Sequence, residues 1–163
     1  MARWCVGTSL VQVQLLGPVR AWRGDDEVAV RGVTGRSVLA RLALDRGATV
    51  TIDELMDAVW GDHPPTKPAA NLHTAVSRLR GALGAEVIDT SAGGYAMSDR
   101  AVVDAAELQD VLSDLDGADP AAAQRIEACI VRFGGTPLED VATTWVFEPY
   151  RVMLQELQLA ACD

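Results

Sequence analysis

The segment spanning residues 51–84 constrains the fold more than any other, because it holds two helix patterns on either side of a proline-rich connection. The first helix begins at Thr51 and Glu54, a capping-box pair whose side chains each accept a main-chain N–H at the helix start. The connection, "DHPPTKP" (residues 62–68), cannot lie inside a helix, because proline lacks an N–H and restricts the residue before it. The sequence therefore predicts two helices joined by a loop.

The second helix pattern, "PAANLHTAVSRLRGAL" (Pro68–Leu83), is amphipathic. At about 100° per residue its large apolar residues share one side. They are Leu72, Val76, Leu79 and Leu83. The other side is small and polar, and no Asp or Glu occurs between residues 66 and 85. Since one helix fits the major groove of DNA and phosphate would repel an acidic side chain there, we predict that this face binds DNA.

Short extended patterns flank the two helices. Residues 11–17 and 19–32 alternate apolar and polar residues around a turn at Gly24, which predicts a β-hairpin. Residues 35–47 predict a helix that ends at Gly47, with "GVTGRS" (residues 32–37) as the turn leading into it, and residues 48–51 predict an extended link. Residues 86–98 predict a second hairpin around Gly93 and Gly94. This order predicts an α+β fold, a winged helix-turn-helix with N-terminal antiparallel strands.

Charge divides the chain into two parts. Residues 1–98 contain ten Lys or Arg and ten Asp or Glu, whereas residues 99–163 contain four and thirteen, so the formal net charge of −9 belongs to the second part. That part shows helix patterns starting at a second capping box (Asp104 and Glu107), at the Asp119 cap through residue 133, and after Trp145. We predict a tail at residues 1–9, a winged-helix domain at residues 10–98 and a small all-α domain at residues 103–163.

The last helix pattern carries an apolar side that runs to the final residue. Its members are Tyr150, Met153, Leu154 and Leu157. We expect this face to be covered either by a continuation of the helical domain, which would make the domain incomplete here, or by a partner.

Composition excludes several classes of protein. No apolar run approaches the ~20 residues of a membrane span, and residues 1–9 have no signal-peptide pattern. Cys5, Cys129 and Cys162 are scattered, which favours a reducing cytoplasm over a disulfide framework or a zinc site, and Cys129 is predicted to be buried in a helix. No catalytic or cofactor fingerprint occurs, so we expect no enzyme, no cofactor and no metal.

His73 and Tyr95 each keep two interpretations from the sequence, whereas His63 and Trp60 keep one. His73 is either an ordinary surface histidine or a ligand contact, and His63 lies among prolines with no metal-spaced partner. Tyr95 is predicted to pack the second hairpin onto the helices, with a phosphate contact from its hydroxyl as the alternative. Trp60 falls on the apolar stripe of the first helix and is predicted to belong to the core.

Taken in order, these motifs resemble the OmpR-type winged helix of the Streptomyces antibiotic regulatory protein family. The resemblance covers roughly residues 10–98 and rests on "QLLGPVRAW…GDDEVAV", "DEL…W" (residues 53–60), the prolines at 64 and 65, "NL…VSRLR" (residues 71–80) and "GGY" (residues 93–95). Residues 103–163 resemble, more loosely, the start of the bacterial transcriptional activator domain, a helical module that is cut off partway.

The resemblance implies a transcriptional activator of secondary-metabolite (antibiotic) gene clusters in the bacterial cytoplasm, associated with the nucleoid. Such proteins bind promoter direct repeats in double-stranded DNA, often as two protomers in tandem, and contact RNA polymerase. Pro68–Leu83 would be the recognition helix and residues 89–97 the wing. The implied DNA-binding residues are Lys67, Asn71, His73, Thr74, Ser77, Arg78, Arg80, Thr90 and Tyr95. The loop of residues 61–68, with Asp62, His63 and Thr66, would contact the polymerase.

The chain carries fewer basic residues than the family pattern. Relatives often have a basic residue at the positions of Ala70 and Gly81, an arginine at that of His73, and a basic residue in the wing near residues 91–92. Each lost phosphate contact flattens the salt dependence of DNA binding by a slope of ~0.9. We therefore expect weaker binding than that of relatives, or binding that needs a second protomer.

Two other functions are weighed against DNA binding. A protein-interaction module that has lost DNA binding would fit the neutral first part, the few basic residues and the acidic helical part. An enzyme is disfavoured, because the carboxylates fall at helix caps and on solvated faces, and "GVTGRS" lacks the lysine of a phosphate-binding loop.

Overall fold

The computed structural model describes residues 10–113, 120–131 and 134–162. The strands are β1 (Val11–Gln14), β2 (Arg20–Arg23), β3 (Asp26–Val28), β4 (Val50–Thr51), β5 (Ile88–Ser91), β6 (Gly94–Met97) and β7 (Ala101–Val103). The helices are α1 (Gly32–Leu44), α2 (Ile52–Trp60), α3 (Pro68–Leu83), α4 (Asp104–Ser113), α5 (Pro120–Ile130) and α6 (Glu148–Cys162), with a short 3-10 turn at Ala85–Val87. The α+β winged helix is confirmed, as are both predicted hairpins.

Helix α1 begins earlier than the sequence predicts. "GVTGRS" forms its first turns, so the prediction of a turn over residues 32–37 is wrong. Glycine weakens a helix by about 1 kcal/mol relative to alanine. Here the burial of Ser37, Val38 and Leu39 against the rest of the core outweighs that local preference, and Gly35 is itself buried.

Three helices, α1, α2 and α3, form the core of the winged helix. The four predicted apolar residues of α3 are all buried, and α2 buries Leu55 and Val59 against them. The capping box at Thr51 and Glu54 is confirmed, with both reciprocal hydrogen bonds present. Trp60 is half-buried at the edge of this core rather than inside it.

The strands form two sheets. One has the order β3-β2-β1-β7, in which β1 pairs antiparallel with β2 and parallel with β7. The other has the order β4-β6-β5 and carries the second hairpin. Strand β7 was not predicted, since three residues between Arg100 and Asp104 carry no turn or alternation signal. Through β7, the chain returns to the N-terminal sheet before it enters α4.

Asp104 ties the start of α4 to the end of β1. Its carboxylate oxygens accept the main-chain N–H groups of Leu15 and Leu16 at 2.8 and 3.0 Å. Asp104 is only 4% exposed, so these bonds lie in the interior. Where the sequence predicts a local cap, the structure adds a bond across 89 residues of chain.

Residues 134–147, here called the connecting segment, run across the winged helix. Asp140 accepts the N–H of Val19 at 2.8 Å and forms an ion pair with Arg36, with Nε 3.1 Å from the carboxylate. Ser37 accepts the N–H of Ala142 in the interior. These bonds hold the connecting segment against α1 and against the residue that precedes β2.

The acidic part agrees partly with its predicted helices. Leu154 is buried and Tyr150 and Leu157 are half-buried, but Met153 is 47% exposed, so it does not lie on the packed side of α6. Cys129 is buried in α5, as predicted. The predicted tail at residues 1–9, Cys5, the cap at residue 119 and the predicted helix end at 132–133 lie outside the described residues.

Candidate nucleic-acid interface

Helix α3 presents the predicted polar face to solvent. The exposed residues on it are Asn71, His73, Thr74, Ser77 and Arg78. Leu72 and Leu83 are fully buried on the opposite side, which fixes how the helix is rotated about its axis. The face is therefore held by the core and remains open to a ligand.

The start of α3 adds a second attraction for anions. Pro68 occupies the first helical turn, no acidic residue lies in that turn, and Lys67 is exposed at the N-cap position. The first N–H groups of a helix have no partner within the helix and carry a partial positive charge. Together with Lys67 they favour a phosphate at this end.

The wing is the hairpin of β5 and β6, and its shape depends on Gly93 and Gly94. Gly93 has a φ of +80°, which side chains rarely adopt, and it forms the turn. A Cβ on Gly94 would overlap the carbonyl oxygen of Val50, because β4 and β6 approach closely there. The two glycines explain the "GGY" motif: they bring the wing against the strand that leads into α2.

Arg80 joins α3 to the wing. Its guanidinium donates to the main-chain oxygen of Ile88 from Nε at 2.9 Å and from Nη2 at 2.6 Å, and Nη2 also lies 2.8 Å from the hydroxyl of Thr90. Arg80 is half-buried, whereas Thr90 is exposed. The planar fork of arginine suits such a multiple contact. Arg80 thus fixes the angle between the helix and the wing and keeps its charge at their junction.

Tyr95 lies behind this junction and is only 7% exposed. The Arg80 guanidinium carbon sits 5.4 Å from the centre of its ring, within the range of a cation–π interaction. Its hydroxyl lies 2.7 Å from Nδ1 of His73. The prediction that Tyr95 packs the hairpin onto the helices is confirmed, and its hydroxyl is directed at a residue of the exposed face.

The loop before α3 is exposed at the predicted positions Asp62, His63 and Thr66. Its base is contacted by the connecting segment, because the hydroxyl of Thr144 donates to the main-chain oxygen of Ala58 at 2.8 Å. Sequence analysis missed Thr144, and a contact across 86 residues leaves no local signal in the sequence.

A groove of about 950 Å³ runs beside the exposed face of α3, toward the start of α1. Asn71 and Arg78 line one wall, and Arg31, which sequence analysis did not single out, lines the other. Arg31 is exposed at the N-cap of α1. It therefore adds a positive charge to this side of the molecule.

The cap of α2 shifts the pKa of one of its own side chains, Glu54. The main-chain N–H of Thr51 and then its hydroxyl, both donating to Glu54, lower the pKa of that carboxyl. Within the described ranges, His, Cys, Asp and Glu form no cluster of three that could hold a metal ion. Among the described helices, every one is too short or too polar to cross a bilayer.

Comparison with known proteins gives three related results. Residues 27–97 match the family model of the C-terminal domain of transcriptional regulatory proteins. The chain is 39% identical over 115 residues to the regulatory protein AfsR of Streptomyces griseus, covering 70% of this chain and 12% of AfsR. It is 33% identical over 96 residues to the regulatory protein DnrI of Streptomyces peucetius, covering 52% of this chain and 35% of DnrI.

One solved structure is similar over nearly the whole chain. It is EmbR of Mycobacterium tuberculosis in complex with a low-affinity phosphopeptide, with a TM-score of 0.76 and 25% sequence identity. The match covers 93% of this chain and 43% of EmbR. The chain thus spans less than half the length of each of these three relatives.

Proposed function

Because the chain belongs to the Streptomyces antibiotic regulatory protein family, with its OmpR-type winged helix, we propose that it regulates transcription by binding promoter DNA through α3 and the wing. The observation that carries the proposal is the exposed face of α3, which is polar, edged by arginine and without any acidic residue. In this proposal residues 10–98 are the DNA-binding domain, and residues 103–163 are the start of a helical activator domain.

The residue types on the face match groups on DNA. Asn71 can pair with adenine and Arg78 with guanine through two hydrogen bonds each, and Thr74 can contact the methyl group of thymine. Lys67, Ser77 and Arg80 would bind phosphate oxygens, which position the protein without reading sequence. In the wing, Thr90 lies next to the minor groove in this arrangement.

The finer biological role is part of the same proposal. As the resemblance to the family implies, the chain would activate an antibiotic gene cluster from promoter direct repeats, with two protomers in tandem. The exposed loop with Asp62, His63 and Thr66 would contact RNA polymerase. Because Thr144 bonds to the end of α2, the connecting segment would hold the base of this loop in place.

Selection from random duplexes tests the proposal without knowledge of the promoter. The chain is incubated with a pool of randomised double-stranded DNA at low and at moderate salt, and bound duplexes are sequenced after several rounds. We expect direct repeats about 10–11 base pairs apart, since one helical turn places two protomers on the same side of the duplex. Enrichment no greater than that of a pool carried through without protein would refute DNA recognition and favour the protein-interaction module.

A further inference from the structure

Tyr95 combines a buried ring with a hydroxyl that reaches the DNA-facing side of α3. The ring is 7% exposed, and its plane meets that of His73 at 74° with the centroids 6.1 Å apart. The hydroxyl oxygen lies 2.7 Å from Nδ1 of His73. A buried tyrosine hydroxyl ordinarily has a hydrogen-bond partner, and here that partner is an exposed side chain of the candidate interface.

The bond restricts what His73 can offer to a ligand. A neutral imidazole has one N–H and one acceptor nitrogen, and the bond at one nitrogen decides which is which. When the phenol donates to Nδ1, the proton of the ring lies on Nε2, on the far side of the ring from Tyr95. His73 is exposed, so that N–H is available to a ligand.

The other side of Tyr95 is fixed by Arg80. The guanidinium lies over the ring at 5.4 Å and is itself bonded to Ile88 and Thr90 of β5. The ring of Tyr95, which belongs to the wing, is therefore held against α3 by Arg80 on one side and His73 on the other.

We propose that Tyr95 is a positioning residue, whose hydroxyl donates to Nδ1 of His73 and so presents Nε2–H to a hydrogen-bond acceptor on DNA. The acceptor is either a phosphate oxygen or the N7 or O6 atom of guanine, which share this chemistry. This inference rests on the proposed function. It assigns to Tyr95 a role behind the interface in place of a direct contact.

The first test measures the tautomer of His73 in the protein without DNA. Long-range ¹H–¹⁵N spectra of the full chain, recorded at about pH 8 where imidazole is neutral, distinguish the two tautomers of each histidine. The chain has two histidines, so His63 in the proline loop is an internal control. We expect His73 in the Nε2–H form, and a mixture in Tyr95→Phe, with the His63 signals unchanged. An Nδ1–H form or a mixture in the unaltered chain would overturn the proposal.

The second test measures affinity for the duplex obtained by selection. Tyr95→Phe keeps the ring and its contact with Arg80, and removing one hydrogen bond should weaken binding about threefold to tenfold. In a His73→Ala background the same change should have no further effect. The matched control is Tyr150→Phe, which removes the only other tyrosine hydroxyl of the chain and should leave affinity unchanged.

The same titrations also identify which DNA atom accepts the hydrogen bond from His73. Loss of a phosphate contact made by the neutral imidazole weakens binding to every duplex alike, whereas loss of a guanine contact relaxes the base preference at one position. Independent, additive effects of Tyr95→Phe and His73→Ala would overturn the positioning role. If the unaltered chain binds no DNA, the proposed function and the DNA contact of His73 both fail, while the tautomer is still decided by the spectra.

Discussion

Two junctions, one inside the winged helix and one between it and the helices that follow, are built differently. The junction between α3 and the wing uses Arg80 and Tyr95, and its outer members, His73 and Thr90, are exposed. The junction between the winged helix and the helices that follow uses Asp104 and Ser37, which are 4% and 0% exposed and accept main-chain N–H groups.

The difference separates recognition from stability. Groups at the first junction keep a face open and aligned, so changes there should alter ligand binding more than folding. The side chains at the second junction accept hydrogen bonds from buried main-chain N–H groups. Each such N–H group that loses its partner costs about 1–3 kcal/mol. Changes there should lower the free energy of unfolding and leave the DNA affinity of the folded protein nearly unchanged.

The largest expected effect is that of Asp104→Ala. The change leaves the N–H groups of Leu15 and Leu16 without their carboxylate acceptor in the interior, so we expect a loss of about 2–5 kcal/mol in the free energy of unfolding. Urea denaturation measures it, and Asp110→Ala, at an exposed position of the same helix, is the control. Equal midpoints for the two variants would show that the second junction is not a source of stability.

A smaller effect is expected at the cap of α2, where Thr51 lies on β4, the strand that pairs with β6 of the wing. Thr51→Ala should lower the free energy of unfolding by about 1 kcal/mol, as at other N-caps. This value is the cost of losing a local contact, and the loss in Asp104→Ala is compared with it.

The contribution of Glu54 to this cap depends on pH. Its pKa is lowered in the folded protein, because Thr51 donates to the carboxylate from its N–H and its hydroxyl. The stabilisation is therefore present above the unfolded pKa of Glu54 and is lost as the pH falls through the lower folded value. Urea denaturation of the unaltered chain and of Glu54→Gln should differ at neutral pH and converge in acid. A difference that grows in acid would contradict this assignment.

Much of the winged helix could be predicted from the sequence, because its signals are local. The capping box at Thr51, the prolines before α3 and the spacing of apolar residues in α3 each determine structure within a few residues. The face of α3 followed from the same spacing, since a helix buried on one side must expose the other. The start of α1 was mispredicted, because burial of its side chains overrides the preference of two glycines.

The junctions could not be predicted, because they depend on residues far apart in sequence. Asp104 reads as a helix cap, and only the fold brings it to Leu15. Arg80 reads as a phosphate contact, and only the hairpin brings Ile88 and Thr90 to its guanidinium. The packing of residues 99–163 was harder to predict for the same reason. Met153 was predicted on the packed side of α6 and is exposed instead.

The central claim, that the exposed face of α3 binds DNA, is tested most directly by comparing Arg78→Ala with Arg125→Ala. Both arginines are exposed and both changes remove one positive charge, but Arg125 lies on α5 in the acidic part. Affinity for the selected duplex is measured at several salt concentrations. We expect Arg78→Ala to weaken binding by about 1–3 kcal/mol and to relax the preference at one base pair, with Arg125→Ala unchanged. Equal affinities for the two variants, or an unchanged base preference in both, would contradict the claim.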